Sequence, residues 1–332
     1  VGRYIARKLV IYGITFFAAV TIDWIIPHLM PGDPIITLIS DRFEIRNKET
    51  YEHLYNSIGR AFNADLPIWK QYYYFWVQLV HGNLGISIWD YPIPVTRIVI
   101  HAAPYTLGLL IPAILFSWWA GNKVGAMAAR RKVLDNSVLP FSYFLTATPY
   151  QWLAMMFVWL IAVKWGILPN DRAYDVLVVP NWSFAFALDF LKHWILPFLS
   201  LFLVAFGGWA IGMRNMIIYE LESDYSHYLE ALGAPRRLVR KYAFRNAVLP
   251  QVTGLALQIG AVLAGALVTE IVFSYPGLGY IIYYAILNKD YFLIQGTFLL
   301  IIIGVLMANF VIDIIYVLID PRTRIGMQGG QA

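Results

Sequence analysis

The chain has no cysteine. That excludes disulfides, thiolate metal sites and a cysteine nucleophile. Charge is scarce too: only 14% of the 332 residues are Asp, Glu, Lys or Arg, against about 25% in a soluble domain. No Gly-Lys pair occurs anywhere. A phosphate loop of the Gly-x-x-x-x-Gly-Lys-Ser/Thr type is therefore missing, and the chain is not expected to hold ATP by itself. The six histidines (His28, His53, His81, His101, His193 and His227) are scattered. None makes a His-x-x-x-His pair, which argues against a metal centre.

What the chain does have is apolar residues, 59% of the total, in several runs of about 20. That composition defines an integral membrane protein. The net charge of +5 fits the excess of Lys and Arg in cytoplasmic loops better than it fits nucleic-acid binding.

The runs predict six transmembrane helices in an all-α fold. They fall near Leu9–Leu29, Ile98–Trp119, Ser137–Val163, Trp194–Ile218, Val252–Val272 and Phe292–Ile319. The first run is too long for a secretory signal and has no small-residue cleavage site behind it. Residues 1–30 thus read as the N-terminal span. The turn Pro31-Gly-Asp-Pro34 ends it. Residues 31–97 read as an extracytoplasmic region too charged for lipid. Within it the aromatic-rich stretch Ile68–Val80 suits a membrane interface, where a ring is apolar and its edge polar. Residues 98–319 form the main transmembrane domain. Phe273–Asp290 reads as a loop, 320–332 as a cytoplasmic segment, and the residues from Gly326 as an unstructured tail.

Six spans put both termini on one side. Fifteen of the 25 Lys and Arg lie on that side, and six of the rest sit in the long 30–97 loop, which counts weakly. The positive-inside bias therefore predicts cytoplasmic termini in a multi-pass plasma-membrane protein.

One stretch, within residues 220–250, is polar and basic between two apolar runs. It predicts two short helices with a break. Ser223 or Asp224 can cap the first, Gly233 fits the left-handed position past its end, and Pro235 suits the first position of the second. Leu238, Val239, Tyr242 and Ala243 then fall on one face, and Arg237, Arg240, Lys241 and Arg245 on the other. A basic elbow of this kind is a candidate docking surface.

Three acidic residues, Asp23, Glu270 and Asp313, lie at or inside membrane depth. An unpaired charge there is costly, so each is expected to face protein, water or a partner such as Arg214. They are weak candidates for a substrate or proton path, and structural pairing is the competing reading. Small residues recur at helical spacing (Gly208 with Gly212, Gly260 with Ala264, Ala261 with Gly265), which lets helix backbones approach. Pro104, Pro112 and Pro149 interrupt backbone hydrogen bonding inside spans, and such breaks either line a cavity or reflect the ordinary frequency of proline in membrane helices.

Beyond these local readings, the chain resembles a family along nearly its full length. The elbow resembles the cytoplasmic coupling loop of ABC importer permeases, and the whole is similar to the B-type permease subunit of dipeptide and oligopeptide importers. The resemblance is carried by Pro31-Gly-Asp-Pro34, Gly82-Asn-Leu-Gly85-Ile-Ser87, Trp165-Gly-Ile-Leu-Pro169 and Met213-Arg-Asn-Met216. Further on it rests on Arg245-Asn-Ala-Val-Leu-Pro250, on Thr269 through Gly279 and on Asp320-Pro-Arg-Thr-Arg324, in that order.

The resemblance implies a type I ABC importer permease fold and a non-catalytic subunit forming half of a translocation path. Its implied partners are a second homologous permease, two cytoplasmic ATPases holding ATP and Mg, and an external substrate-binding protein. It implies that Asp224, Tyr225, His227, Glu230, Ala231, Gly233 and Pro235 form the ATPase-coupling loop. His227, Glu230 and Leu232 depart from the residues usual in the family's loop, so the surface is expected to be retuned to its own ATPase. Peptides are the implied substrate. Oligosaccharides are an alternative, since aromatic residues make up 16% of the chain and suit sugar rings as well as interfaces; some importers of the family carry nickel. An ion-coupled secondary transporter using the intramembrane carboxylates is the rival of a different class, but it gives the elbow no task.

Overall fold

The computed structural model describes residues 2–31, 35, 36, 39, 47–61 and 65–319, without the side chains of 2–5, 256, 257, 260, 261, 264 and 315–319. The Gly32–Pro34 part of the first turn, the Asp320–Arg324 motif and the tail lie outside the described residues.

The described chain is helical. In order, α1 is Gly2–His28, α2 Lys48–Ala61, α3 Ile68–Val80, α4 Val95–Ala128, α5 Lys132–Ala147 and α6 Tyr150–Phe157. A π-helical segment, Val158–Lys164, continues α6. Then come α7 (Phe184–Leu221), α8 (Asp224–Ala231), α9 (Arg236–Val272), α10 (Leu278–Leu287) and α11 (Tyr291–Ile319).

Among the described residues, four helices are long and apolar enough to cross a membrane: Ala6–His28, Val95–Ala128, Phe184–Leu221 and Tyr291–Ile314. The third expected span is not one rod. Lys132–Ala147 and Tyr150–Lys164 meet at a 99° bend, because Thr148 and Pro149 are both extended, at ψ 124° and 141°. A proline cannot donate to the ladder, and the residue before it is pushed out of the helical region. The fifth expected span is the C-terminal part of α9, a 37-residue helix that runs straight through Pro250. The expected second elbow helix and that span are therefore one element.

The helices form two compact units. The first comprises Thr106–Pro276 with the start of α1 up to Ile5 and the α11 residues from Met307 onward. Its centre is α7, with α5, α6 and α9 packed on it. Close approach is made where side chains are missing. A Cβ on Gly207 would meet the Ser142 carbonyl and Thr146 of α5, and one on Gly121 would meet Trp209. Gly212 lies against Gln251 of α9, and Gly265 against the Tyr150 ring. Gly208, expected as a packing residue, has nothing within 4 Å of a Cβ among the described residues; its neighbour Gly207 makes a close contact instead. The packing around Gly260, Ala261 and Ala264 lies outside what is described. Gly125 faces the Ala210 carbonyl so closely that any Cβ would collide with backbone, which cannot rotate aside as a side chain can. Gly125→Ala should therefore destabilise this unit by about 2 kcal/mol, as overpacking does, read as a lower melting point in detergent.

The second unit comprises Ala6–Tyr105 and Gly277–Leu306. Val95, Val99 and Ala102 of α4 pack with Leu278 and Ala285 of α10 and with Leu293 and Ile294 of α11. The Phe273–Asp290 stretch, expected as a loop, thus contains a helix. At ten residues α10 is too short to cross a membrane and holds its shape by burying Leu278, Ile282 and Ala285. The aromatic helix α3 leans on α1. Trp76 stacks on Phe17 at 5.2 Å, Tyr72 meets Trp24 edge-on at 5.1 Å, and the Tyr72 and Thr21 hydroxyls are 2.8 Å apart. Trp69 and Tyr73 point outward, the amphipathic arrangement expected of an interfacial helix.

Asp290 ties this unit together. Its Oδ2 accepts from the Ser87 hydroxyl at 2.5 Å and the Trp89 N–H at 2.9 Å, and its Oδ1 accepts from the Leu293 N–H at 3.0 Å. The last bond caps α11 at its first turn. Trp89 stacks flat on Tyr284, with centroids 5.4 Å apart.

Candidate coupling elbow

The elbow lies in the first unit, between α7 and α9. Ser223 occupies the N-cap position of α8 with extended backbone, at ψ 154°. Its hydroxyl does not accept from the opening turn, as the sequence suggested. It donates back to the Glu220 carbonyl at 2.6 Å, and the Ser226 hydroxyl donates to the same carbonyl at 2.7 Å.

The far end of α8 is closed as the sequence predicts. Gly233 sits at φ +75°. Its N–H bonds to the Glu230 carbonyl at 2.9 Å, and the Ala234 N–H to the Leu229 carbonyl at 3.0 Å. This pair of bonds is the Schellman closure, which satisfies carbonyls left over at a helix end. Pro235 is the residue just before α9 rather than its first helical residue.

Glu220, near the end of α7, was not singled out from sequence. Its Oε2 accepts from the Tyr225 hydroxyl of α8 at 2.7 Å and from Asn246 Nδ2 of α9 at 3.2 Å. A bond to a carboxylate of this kind contributes about 1.5–3 kcal/mol. Burial, and then the bond to Glu220, push the Tyr225 hydroxyl pKa above its ordinary value.

Tyr225 is half-buried, whereas Asp224, His227, Glu230, Ala231, Gly233 and Pro235 are exposed. Tyr228 and Leu232 are each 65% exposed. Six of the seven predicted loop residues therefore lie on an open surface, and the seventh anchors it. On α9 the packed stripe is narrower than predicted. Val239, Ala243 and Ala247 are buried, but Leu238 and Tyr242 are exposed. Ala247 clusters with Ala126, Met213 and Ile217, which are enough to cover a single row of small residues. Arg236, Arg237, Arg240, Lys241 and Arg245 are exposed, while the open face of α8 carries Asp224 and Glu230.

Arg214 does not serve the intramembrane acids. Its Nε and Nη2 bond to the two oxygens of Asp135 at 2.8 and 2.6 Å, a two-pronged pair joining α7 to α5. Asp23 is 4% exposed, and neither carboxylate oxygen is hydrogen-bonded among the described residues. Glu270 is fully buried in α9, and Asp313 is half-buried in α11. Asp23 belongs to a different unit from Glu270 and Asp313. Among the described residues no group of three or more His, Cys, Asp or Glu is placed to hold a metal.

The fold is that of a polytopic helical membrane protein with an exposed helical elbow between two of its longest helices. The chain belongs to the family of binding-protein-dependent transport system inner membrane components, whose sequence pattern matches residues 121–325. It is 30% identical, over 97% of its length and 98% of the relative's, to the dipeptide transport system permease protein DppB of Escherichia coli (strain K12). It is 31% identical over the same shares to the di/tripeptide transport system permease protein DppB of Pseudomonas aeruginosa (strain UCBPP-PA14). The oligopeptide transport system permease protein AppB of Bacillus subtilis (strain 168) is 25% identical over 97% of this chain and 99% of its own.

Proposed function

We propose that this chain is the non-catalytic permease subunit of an ATP-driven importer of short peptides. The observation that carries this reading is the exposed α8–Gly233–Pro235 elbow, in a chain that aligns over 97% of its length with a dipeptide permease. In this reading the termini and the elbow lie in the cytoplasm, and residues 31–97 lie outside. A second, homologous permease completes the translocation path, an external binding protein delivers the peptide, and two cytoplasmic ATPases hold ATP and Mg. The face of α8 formed by Asp224, His227, Glu230, Ala231 and Gly233 docks on one ATPase. ATP binding draws the ATPases together, the elbow moves with them, and the long helices α7 and α9 carry that movement into the membrane. The path then alternates between its two openings. Asp23, Glu270 and Asp313 have no assigned part in it.

The test is reconstitution in proteoliposomes with the second permease, the ATPases and the binding protein. A labelled dipeptide should accumulate inside only with ATP and binding protein present, and this chain alone should hydrolyse no ATP. Uptake driven by an ion gradient without ATP, or turnover of ATP by the isolated chain, would overturn the reading.

A further inference from the structure

α8 is eight residues long, about 12 Å. A helix of that length is not stable on its own, so its orientation must come from ties to its neighbours. Apolar packing supplies little: Ser226 is its only buried residue. The ties that remain converge on one residue. Glu220 sits on α7, receives Tyr225 of α8 and Asn246 of α9 on a single carboxylate oxygen, and receives Ser223 and Ser226 on its carbonyl.

We propose that Glu220 is a positioning residue for coupling: it locks α8 to both flanking membrane helices, so that motion imposed on the elbow is delivered to the spans rather than absorbed by the elbow. This rests on the coupling role proposed above. A carboxylate suits the task because it is acceptor-only and can take both donors at once. Without it, α8 keeps the short connectors on either side, the two serine bonds to the Glu220 carbonyl and the lone approach of the Tyr225 hydroxyl to Asn246, but loses the carboxylate that clamps it to α7 and α9 at once. The ATPases would still meet the exposed face of α8, which Glu220 does not form. Docking and hydrolysis would then persist while transmission failed.

The reconstituted complex with all its partners tests this by measuring dipeptide uptake and ATP hydrolysis together. Glu220→Ala should leave hydrolysis largely intact and lower uptake per ATP about tenfold, an ordinary size for a coupling free energy. Glu220→Gln keeps an oxygen acceptor and should restore most of the ratio. Tyr225→Phe removes one donor with the ring retained and should lower the ratio less, and combining it with Glu220→Ala should add nothing further. An unchanged ratio in Glu220→Ala, or a Gln variant as poor as Ala, overturns the proposal. Where Glu220→Ala fails to assemble, Tyr225→Phe decides, and an unchanged ratio there is equally fatal. A native complex without ATP-dependent uptake would instead sink the transport reading itself, so the two failures are distinct.

Discussion

Gly233→Asp is expected to abolish uptake while the protein inserts and accumulates normally. The backbone at Gly233 is left-handed, φ +75°, and a side chain there costs about 1–2 kcal/mol, less for aspartate, which tolerates this region. Among the described residues nothing lies within 4 Å of the position a Cβ would take. The fold therefore loses little. A docked ATPase would lose far more, because the new carboxylate would be pressed into a surface that must come close to the backbone, where an unpaired buried charge costs about 3–5 kcal/mol. Gly233→Ala separates the two effects: it carries the backbone strain without the charge. Alanine should retain a substantial part of the uptake, while aspartate falls below about a tenth, as a loss above 1.4 kcal/mol requires. Membrane-fraction levels and melting points, measured beside uptake, complete the comparison. Normal uptake in Gly233→Asp would remove the elbow from the coupling pathway. Equal loss in both variants with falling protein levels would assign Gly233 to folding.

The elbow was legible in the sequence because its ends are made by local chemistry. A left-handed closure needs Gly233, and Pro235 cannot continue the helix behind it. The hydroxyl of Ser223 was misread because the acceptor that wins it, the Glu220 carbonyl, belongs to the preceding helix. Glu220 itself went unnoticed for a related reason. A glutamate at the end of an apolar run reads as solvated, and its role shows only where Tyr225 and Asn246, the latter folded back from 26 positions on, meet its carboxylate. The apolar runs marked where the long helices lie, but not where they stop. Pro149 ends a helix and Pro250 sits inside one. Proline removes the same hydrogen bond in both places, so packing decides the outcome. α10 was hidden likewise: its ten residues lie between Gly277 and Asn288, and the partners that stabilise it, Val95 and Val99, are nearly two hundred residues away.

Asp290→Ala is the substitution expected to damage the second unit most, by about 3 kcal/mol. The carboxylate is fully buried, and its donors include the Ser87 hydroxyl, the Trp89 N–H and the Leu293 N–H, with the Ile88 N–H beside them. Each buried donor left without an acceptor costs about 1–3 kcal/mol, although the Ser87 hydroxyl can rotate to another partner. Burial pushes the Asp290 carboxyl above the usual range, and its hydrogen bonds from Ser87, Trp89, Leu293 and Ile88 pull it back only in part. With the folded pKa raised, the contribution of this group is complete below the ordinary carboxylate pKa and declines as pH rises through the folded value. Asp290→Asn cannot ionise, so its deficit relative to the native protein should shrink as pH rises from the ordinary carboxylate pKa through the raised folded value, while the Ala variant stays damaged throughout. Ser87→Ala removes one donor together with its need, and with it the acceptor of the part-buried Asp90 N–H, and should cost about 1–2 kcal/mol. Denaturation of the purified protein, with proteolysis of the 83–94 segment as a local probe, reads all three. An Ala variant no worse than Ser87→Ala would mean that the apolar packing of Val95, Val99, Leu293 and Ile294 holds this unit without the tie.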